Sequence, residues 1–362
     1  MKLMFYINTI SHGGAERVIV NIATQLSQRG HECHLVTSFY TPEFEYPIGG
    51  RVKRLVLSEK RIENALQRNV AYISRLRKLL RKHQPDVLIS FMPEANFRSL
   101  IAVLGLKTRV IISVRNDPNR EYGSMKGKLL ARTLYKTTNG IVFQTQEAKE
   151  WFPRSIQNKG MIIYNQVSEH FYLQKLNTER HDIVATGRLT RQKNHRMLID
   201  AFASISGQTD ERLIIYGEGP LRDGLEKQIK ERHLERRVVL MGQIEDVPEV
   251  LKKAKIYVLS SDYEGMPNAL MEAMAMGLPC VSTDCPCGGP KVLFGEELKE
   301  WLVPVNNNLA MGDKMMELLS NRVVRDSAGA LFKKRAEEFR PYVIIQKWED
   351  YISYVNEKGC KA

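Results

Sequence analysis

Two acids eight positions apart, Glu264 and Glu272, bracket a turn-like segment, Gly265-Met266-Pro267-Asn268, whose composition suits a ligand carrying both hydroxyls and phosphate. Carboxylates accept hydrogen bonds from sugar hydroxyls. Residues 268–276 are rich in helix formers and stop at Gly277-Leu278-Pro279, so a helix is expected to begin near Met266 or Pro267. Its first N–H groups have no partner inside the helix and attract an anion, and beside two such acids a diphosphate is the natural one. At 1.5 Å per helical residue the acids lie roughly 10 Å apart, about the span from the ribose to the sugar of a nucleotide-sugar. A solvated helix with two surface acids has the same letters, so the segment takes its meaning from its neighbours.

Those neighbours are glycine turns and basic residues, each placed after a short apolar run. Residues 183–186 lead into Gly187-Arg188-Leu189-Thr190-Arg191-Gln192-Lys193-Asn194, with a helix expected over 195–204. Arg188 and Lys193 there suit the neutralisation of a departing pyrophosphate, although two exposed cations closing a loop would read the same way. Leu213–Tyr216 runs into Gly217-Glu218-Gly219-Pro220, which lacks the third glycine of a dinucleotide fingerprint and gives NAD little support. Near the amino terminus, residues 3–7 precede Ser11-His12-Gly13-Gly14-Ala15-Glu16-Arg17, a small-residue turn opening an amphipathic helix through Gln28. Paired glycines let a backbone approach a ligand closely.

The elements that must position these residues follow from the apolar runs. Residues 256–261 are apolar and β-branched and read as a buried strand whose carboxyl edge presents Glu264, where open α/β sheets bind ligands. Strands are likewise expected at 3–7, Glu32–Thr37, 87–90, 110–113, 141–144 and 161–164 in the first half. Strand and helix alternate twice over, which implies two parallel sheets with helices on both faces. At 362 residues the chain exceeds the comfortable size of one core. We expect domains over 1–165 and 166–344, divided near Asn165-Gln166-Val167, and a final helix over 345–362.

The motifs Gly187-Arg188-Leu189 with Lys193-Asn194, Gly217-Glu218-Gly219, Gly242 with Asp246, and Glu264-x7-Glu272 resemble, in order and spacing, the carboxyl-terminal half of the family 4 retaining glycosyltransferases. The Ser11–Arg17 turn is similar to the amino-terminal loop of bacterial members that build capsule, exopolysaccharide and lipid-linked oligosaccharides. The resemblance implies the GT-B architecture: an α/β chain of two Rossmann-like parallel-sheet domains facing a cleft, the first for the acceptor and the second for the nucleotide-sugar. The last helix is then expected to cross back onto the first domain. It further implies that Glu272 binds ribose hydroxyls, that Glu264 contacts the donor sugar, and that Arg188 and Lys193 hold the diphosphate. Backbone of Gly265, Met266 and Asn268 would donate around sugar and phosphate, Pro267 having no N–H to give. The base would lie against Gly242 and Ile244 with Gly217 nearby, and Gly13 and Gly14 would approach the phosphates. Where many relatives carry a histidine near the reacting centre, this chain has Arg115-Asn116-Asp117, which makes Arg115 and Asn116 the candidates for a donor-sugar or acceptor contact.

Charge is unevenly shared. Residues 1–165 carry 26 Lys and Arg against 12 Asp and Glu, a net of +14, whereas 166–362 carry 28 against 29, a net of −1. Much of the excess lies on two helices expected over 61–83 and 125–136. On the first, Leu66, Val70, Ile73, Leu76 and Leu80 share one side with Arg68, Arg75, Arg77, Lys78, Arg81 and Lys82 around them. On the second, Leu129, Leu130 and Leu134 lie beside Lys126, Lys128, Arg132 and Lys136. Apolar stripes packed on a sheet explain the leucines, and an anionic membrane surface accounts for the charge that this leaves over. Nucleic acid is the competing anion, but no nucleic-acid motif or aromatic platform is present.

No apolar run approaches the roughly 20 residues needed to span a bilayer, and the start of the chain does not read as a signal sequence, so a cytoplasmic protein, peripheral on the inner face of the plasma membrane, is expected. Five cysteines, Cys33, Cys280, Cys285, Cys287 and Cys360, fit free thiols rather than a disulfide framework. Cys285-Pro286-Cys287 lacks a second pair for zinc, and no Asp-x-Asp triplet occurs to bridge a diphosphate through a metal, so no metal or other cofactor is expected beyond a UDP-sugar co-substrate. No convincing nucleophile and acid pair is present for a double displacement, which favours front-face substitution with retention. The leading reading is sugar transfer from UDP to a polyprenyl-pyrophosphate-linked or nascent polysaccharide acceptor. A nucleotide-sugar 2-epimerase, and a non-catalytic basic protein binding membrane or nucleic acid, remain the alternatives.

Overall fold

The computed structural model describes residues 1–11, 13–41, 45–244 and 246–358, so His12 of the glycine turn and Cys360 lie outside the described residues. The chain divides into two compact units, one made of Met1–Gln166 with Tyr342–Ala362 and the other of Val167–Pro341.

The first unit is a parallel sheet of β1 (Lys2–Ile7), β2 (Glu32–Thr37), β3 (Lys53–Val56), β4 (Val87–Phe91), β5 (Arg109–Ser113), β6 (Gly140–Phe143) and β7 (Gly160–Ile162), in the order 3-2-1-4-5-6-7. All residues of β1 and β2 but the first of each, and all of β4, are buried, as a parallel sheet covered on both faces requires. The strand order reverses between β1 and β4, which pair in register from Leu3 with Val87. The helix Pro341–Lys358 belongs to this unit's core through Ile344, Ile345, Trp348, Ile352 and Val355, and Trp348 stacks on Phe91 with ring centroids 5.8 Å apart. Polar contacts fasten it further: Ile141 N–H donates to the Tyr351 hydroxyl at 2.8 Å, and Glu349 takes both Arg29 and, at 2.8 Å, His31.

Two helices depart from the expected bounds. The one expected from residue 61 is Ala65–His83, because the Asn64 side chain accepts from the N–H groups of Leu66 and Gln67 and so sets the first turn. Its inward residues are Tyr72, Leu76 and Leu80, whereas Leu66 and Val70, expected on the packed side, are 74% and 61% exposed. The second runs Met125–Leu134 before a tighter turn over Tyr135–Thr137, and its Met125, Leu129 and Leu130 are exposed as well.

The second unit is a parallel sheet of β8 (His181–Thr186), β9 (Leu213–Tyr216), β10 (Val238–Gly242), β11 (Ala254–Leu259), β12 (Cys280–Thr283) and β13 (Leu302–Val303), in the order 10-9-8-11-12-13. Here the order reverses between β8 and β11, whose Ile183 and Ile256 face each other in register. Cys33, Cys280, Cys285 and Cys287 are buried and form no disulfide among the described residues. No described helix is long and apolar enough to cross a membrane.

A buried acid in the first unit carries a pH prediction. Both carboxylate oxygens of Glu121 are sealed from solvent without a hydrogen-bond partner among the described residues, and burial pushes the group up to about 8 although Arg115 pulls it down. A carboxyl raised above its unfolded value near 4.3 contributes stability that is full below that value and is lost as pH rises through the folded one. The melting temperature should therefore fall between pH 5 and pH 8, and Glu121→Gln should flatten that fall and raise the value at pH 8. Identical melting curves for the two proteins across this range would show that Glu121 is ionised in the fold.

Candidate functional site

Three loops meet at the carboxyl edge of the second sheet, around the reversal between β8 and β11. The first leaves β8 through Gly187 and closes with a tight turn at Arg191–Lys193, where Asn194 adopts φ 45° and caps the helix His195–Ile205 by accepting from Met197 N–H at 3.2 Å. Its amide also donates to Asp262 Oδ1 at 2.6 Å, tying this loop to the one that follows β11. The second loop leaves β9 at Gly217, where φ is 146° and a Cβ would lie 2.0 Å from the Gly187 carbonyl oxygen. Only glycine permits that approach, and it lets Gly217 N–H donate to Gly242 O at 2.7 Å and Leu189 N–H to Glu218 O at 3.0 Å.

The third loop carries the acids. Glu264 is 7% exposed, and its Oε1 accepts from Lys193 Nζ at 2.6 Å and from Ser261 Oγ at 2.8 Å. Ser260 Oγ in turn donates to the Lys193 carbonyl at 2.9 Å, and Thr283 Oγ1 to the Ser261 carbonyl at 2.6 Å, so both partners of the ion pair are held from behind. Met266 and Pro267 lead into the helix Asn268–Met276, whose N-cap residue Pro267 makes no side-chain capping bond, and Glu272 on that helix is 5% exposed. The turn at Gly265 is braced by Gly289, where a Cβ would stand 1.7 Å from the Gly265 carbonyl oxygen. Two further groups stay neutral beside these charges. Burial, with Lys193 adding to it, lowers His195 to about 4, and burial, with Glu264 adding to it, pushes the Cys285 thiol well up.

Within this unit the structure thus gathers Arg188, Lys193, Gly217, Gly242, Glu264, Gly265, Met266, Pro267, Asn268 and Glu272 on loops and a helix start at one sheet edge, with half-buried Ile244 following β10. Arg188 is exposed and makes no ion pair among the described residues, whereas Lys193 is paired. An exposed cation with no ion pair among the described residues, on a loop at the same sheet edge as a helix start, is suited to a phosphate, and a lysine with three donors can bridge Glu264 and a phosphate oxygen together. Among the described residues, no group of three or more His, Cys, Asp or Glu side chains could hold a metal ion.

Gly13, Gly14, Arg115 and Asn116 lie in the first unit. Gly13 and Gly14 open the helix Gly14–Gln28. Arg115 turns inward: its guanidinium lies 4.4 Å over the Phe91 ring and donates to Ser113 Oγ and to Asn165 Oδ1, which also accepts from Gln144. The Asn116 side chain accepts from Asp117 N–H at 2.9 Å. The sequence pattern did not single out a second polar cluster, at the β1 and β4 ends of the first sheet, where Arg98 from the helix Pro93–Ala102 reaches Asn8 and Glu94. Its trace in the sequence is a charged residue on the inward stripe of that helix, between buried Ala95 and Ala102.

Two family models match consecutive parts of the chain, Glycosyltransferase Family 4 over residues 12–170 and Glycosyl transferases group 1 over residues 180–321. An uncharacterized glycosyltransferase of Methanocaldococcus jannaschii is 30% identical over 290 residues, covering 72% of this chain and 70% of that one. The GalNAc-alpha-(1->4)-GalNAc-alpha-(1->3)-diNAcBac-PP-undecaprenol alpha-1,4-N-acetyl-D-galactosaminyltransferase of Campylobacter jejuni is 27% identical over 366 residues, covering 98% of this chain and 99% of that one. Among solved structures, Anabaena HepE in complex with UDP and glucose has the same fold, with a TM-score of 0.82 over 98% of this chain and 99% of that one at 18% identity.

Proposed function

Because the chain belongs to glycosyltransferase family 4, we propose that it moves a hexose or N-acetylhexosamine from a UDP-sugar to a lipid-linked or nascent polysaccharide acceptor in bacterial surface-glycan synthesis, with retention of configuration. The observation that carries this reading is the convergence at the β8 and β11 ends of two buried acids, a paired lysine, an arginine with no ion pair among the described residues, and the start of the helix Asn268–Met276.

In this reading Glu272 takes the ribose hydroxyls, and Glu264, whose Oε1 already holds Lys193 and Ser261, offers Oε2 to a hydroxyl of the donor sugar. Arg188, Lys193 and the N–H groups of the turn and helix start stabilise the diphosphate as it leaves. Its own oxygen accepts the proton of the incoming acceptor hydroxyl on the same face, so the C1–O bond to diphosphate breaks as the new glycosidic bond forms and configuration is kept. Gly242 and Ile244 form the wall for the base. On the loop after β5, Asn116 is the candidate for a sugar contact, and Arg115 supports that loop by holding Asn165 rather than by touching substrate.

The acceptor class is supported by the Campylobacter relative, whose name specifies a diphospho-undecaprenol-linked glycan. The basic first unit supports an enzyme that works on the inner face of the plasma membrane, since exposed Leu66, Val70, Met125, Leu129 and Leu130 sit among its lysines and arginines. Each cation near an anionic leaflet is worth about 1 kcal/mol.

One experiment tests the whole reading. Radiolabelled UDP-N-acetylgalactosamine, UDP-N-acetylglucosamine, UDP-galactose and UDP-glucose are offered with undecaprenyl-diphosphate-linked glycan in phosphatidylglycerol vesicles. Label should enter the lipid extract from one donor, and the protein should sediment with the vesicles at about 0.1 M salt and be released at about 1 M. Interconversion of a UDP-sugar with no lipid label would replace transfer by 2-epimerisation. A protein that stays in the supernatant at low salt would end the membrane assignment.

A further inference from the structure

At the carboxyl ends of the paired strands β1 and β4, where the strand order reverses, the first unit holds one carboxylate in a network built from the inside outwards. Arg98 is 2% exposed and every part of its guanidinium is engaged: Nε donates to Asn69 Oδ1 at 2.9 Å, Nη1 to Asn8 Oδ1 at 2.7 Å, and Nη2 to Glu94 Oε2 at 3.0 Å, with the Tyr72 ring 5.2 Å from the guanidinium carbon. Asn8 Nδ2 donates to the same Glu94 oxygen at 3.1 Å, and Asn8 is itself steadied by Ser38 Oγ at 3.0 Å, which bonds the buried Tyr6 hydroxyl at 2.7 Å. Glu94 is the outward end of this network, with its side chain 58% exposed and Oε1 bonded to no described residue.

A surface Glu and Arg four apart on a helix can pair without burying either. Sinking the guanidinium instead costs desolvation that hydrogen bonds from all three of its nitrogens offset, and what the arrangement provides is one carboxylate fixed in place at the carboxyl edge of the sheet. The backbone reaches that place through Met92, whose φ of 79° is a strained value for a side-chain-bearing residue. A fixed carboxylate with one open oxygen accepts hydroxyl donors, and it repels phosphate, so its ligand is the polyol part of a substrate rather than a charged part. We propose that Glu94, held by Arg98 and Asn8, binds hydroxyls of the acceptor saccharide and sets which acceptor the enzyme accepts. The assignment of that saccharide as acceptor rests on the transferase reading; the existence of a saccharide site does not.

The test uses full-length Glu94→Ala and Glu94→Gln with undecaprenyl-diphosphate-linked N-acetylhexosamine in vesicles. The half-saturating acceptor concentration should rise by about ten- to a hundredfold, as expected for losing hydrogen bonds to a charged group, while kcat and the thermal shift produced by UDP stay within about twofold of wild type. An unchanged acceptor KM overturns the proposal, and so does an equal loss of the UDP response. A second readout stands apart from turnover. Saturation-transfer NMR with methyl N-acetyl-α-galactosaminide is recorded on Glu264→Ala, which removes the donor-sugar contact, and on Glu264→Ala combined with Glu94→Ala. Signal in the first that vanishes in the second supports the site even if no transfer is ever detected, in which case only the transferase reading falls. Signal that persists without Glu94, or none in either protein, removes the site.

Discussion

Arg188→Ala should lower kcat by about 10²- to 10³-fold while shifting the melting temperature by no more than a degree or two. The small effect on stability follows from its setting, since Arg188 is exposed on the loop after β8 and makes no ion pair among the described residues. Its expected effect on rate is large because negative charge builds on the departing diphosphate, and a fixed cation at that point acts chiefly on the transition state. Lys193 is the less clean probe. Removing it leaves Glu264 buried beside Ser261 without its cation, so a loss of rate would mix chemistry with local rearrangement. Steady-state rates and a melting curve on the same preparation decide the matter: wild-type kcat in Arg188→Ala would take this residue out of the mechanism.

The second large effect is expected at Glu272. UDP at a hundredfold excess over its dissociation constant should stabilise the wild type by about 2.7 kcal/mol, and Glu272→Ala should abolish most of that response. In a unit of this size the gain corresponds to a rise of roughly 5–11 °C in melting temperature, well within reach of a thermal scan. Because Glu272 is buried on the Asn268–Met276 helix, the alanine variant also loses packing, so Glu272→Gln serves as the companion that keeps side-chain volume and removes the charge. A full UDP shift in both variants would place the ribose elsewhere on the sheet edge.

The parts legible in the sequence were those with a strong local signal. Runs rich in strand-forming residues matched β1, β2 and β9 nearly to the residue, and the Gly277-Leu278-Pro279 stop matched a helix whose last cap is Gly277 in the left-handed region, φ 80°. Leu302–Val303 is only two residues long, and half of Cys280–Thr283 is Ser and Thr, buried although polar, so neither reads as an apolar run and only their pairing to β11 and to each other makes them strands. The same limit governs the sites. Glu264 and Glu272 lie on one local segment and could be read together, but Lys193 and Glu264 are 71 positions apart and nothing in either neighbourhood announces their ion pair. Asn8 and Arg98 are 90 apart and went unread for that reason. Exposure also escapes a stripe of letters: Leu66 and Val70 fit the apolar side of their helix, yet burial begins only near Tyr72. Likewise no local pattern tells that Arg115 points towards Phe91 and Asn165.

The helix that ends the described chain bears on the order of events at the ribosome. Trp348 and its neighbours on Pro341–Lys358 complete a core whose other members all precede residue 167, so the unit that is made first cannot close until the last helix has emerged. At 5–20 residues per second that wait lasts about 10–40 s, during which the contiguous second unit is free to fold ahead of it. The first sheet must therefore spend its nascent life with Phe91 and the surface meant for Trp348 uncovered, which makes it the part of this protein with most need of a chaperone during synthesis.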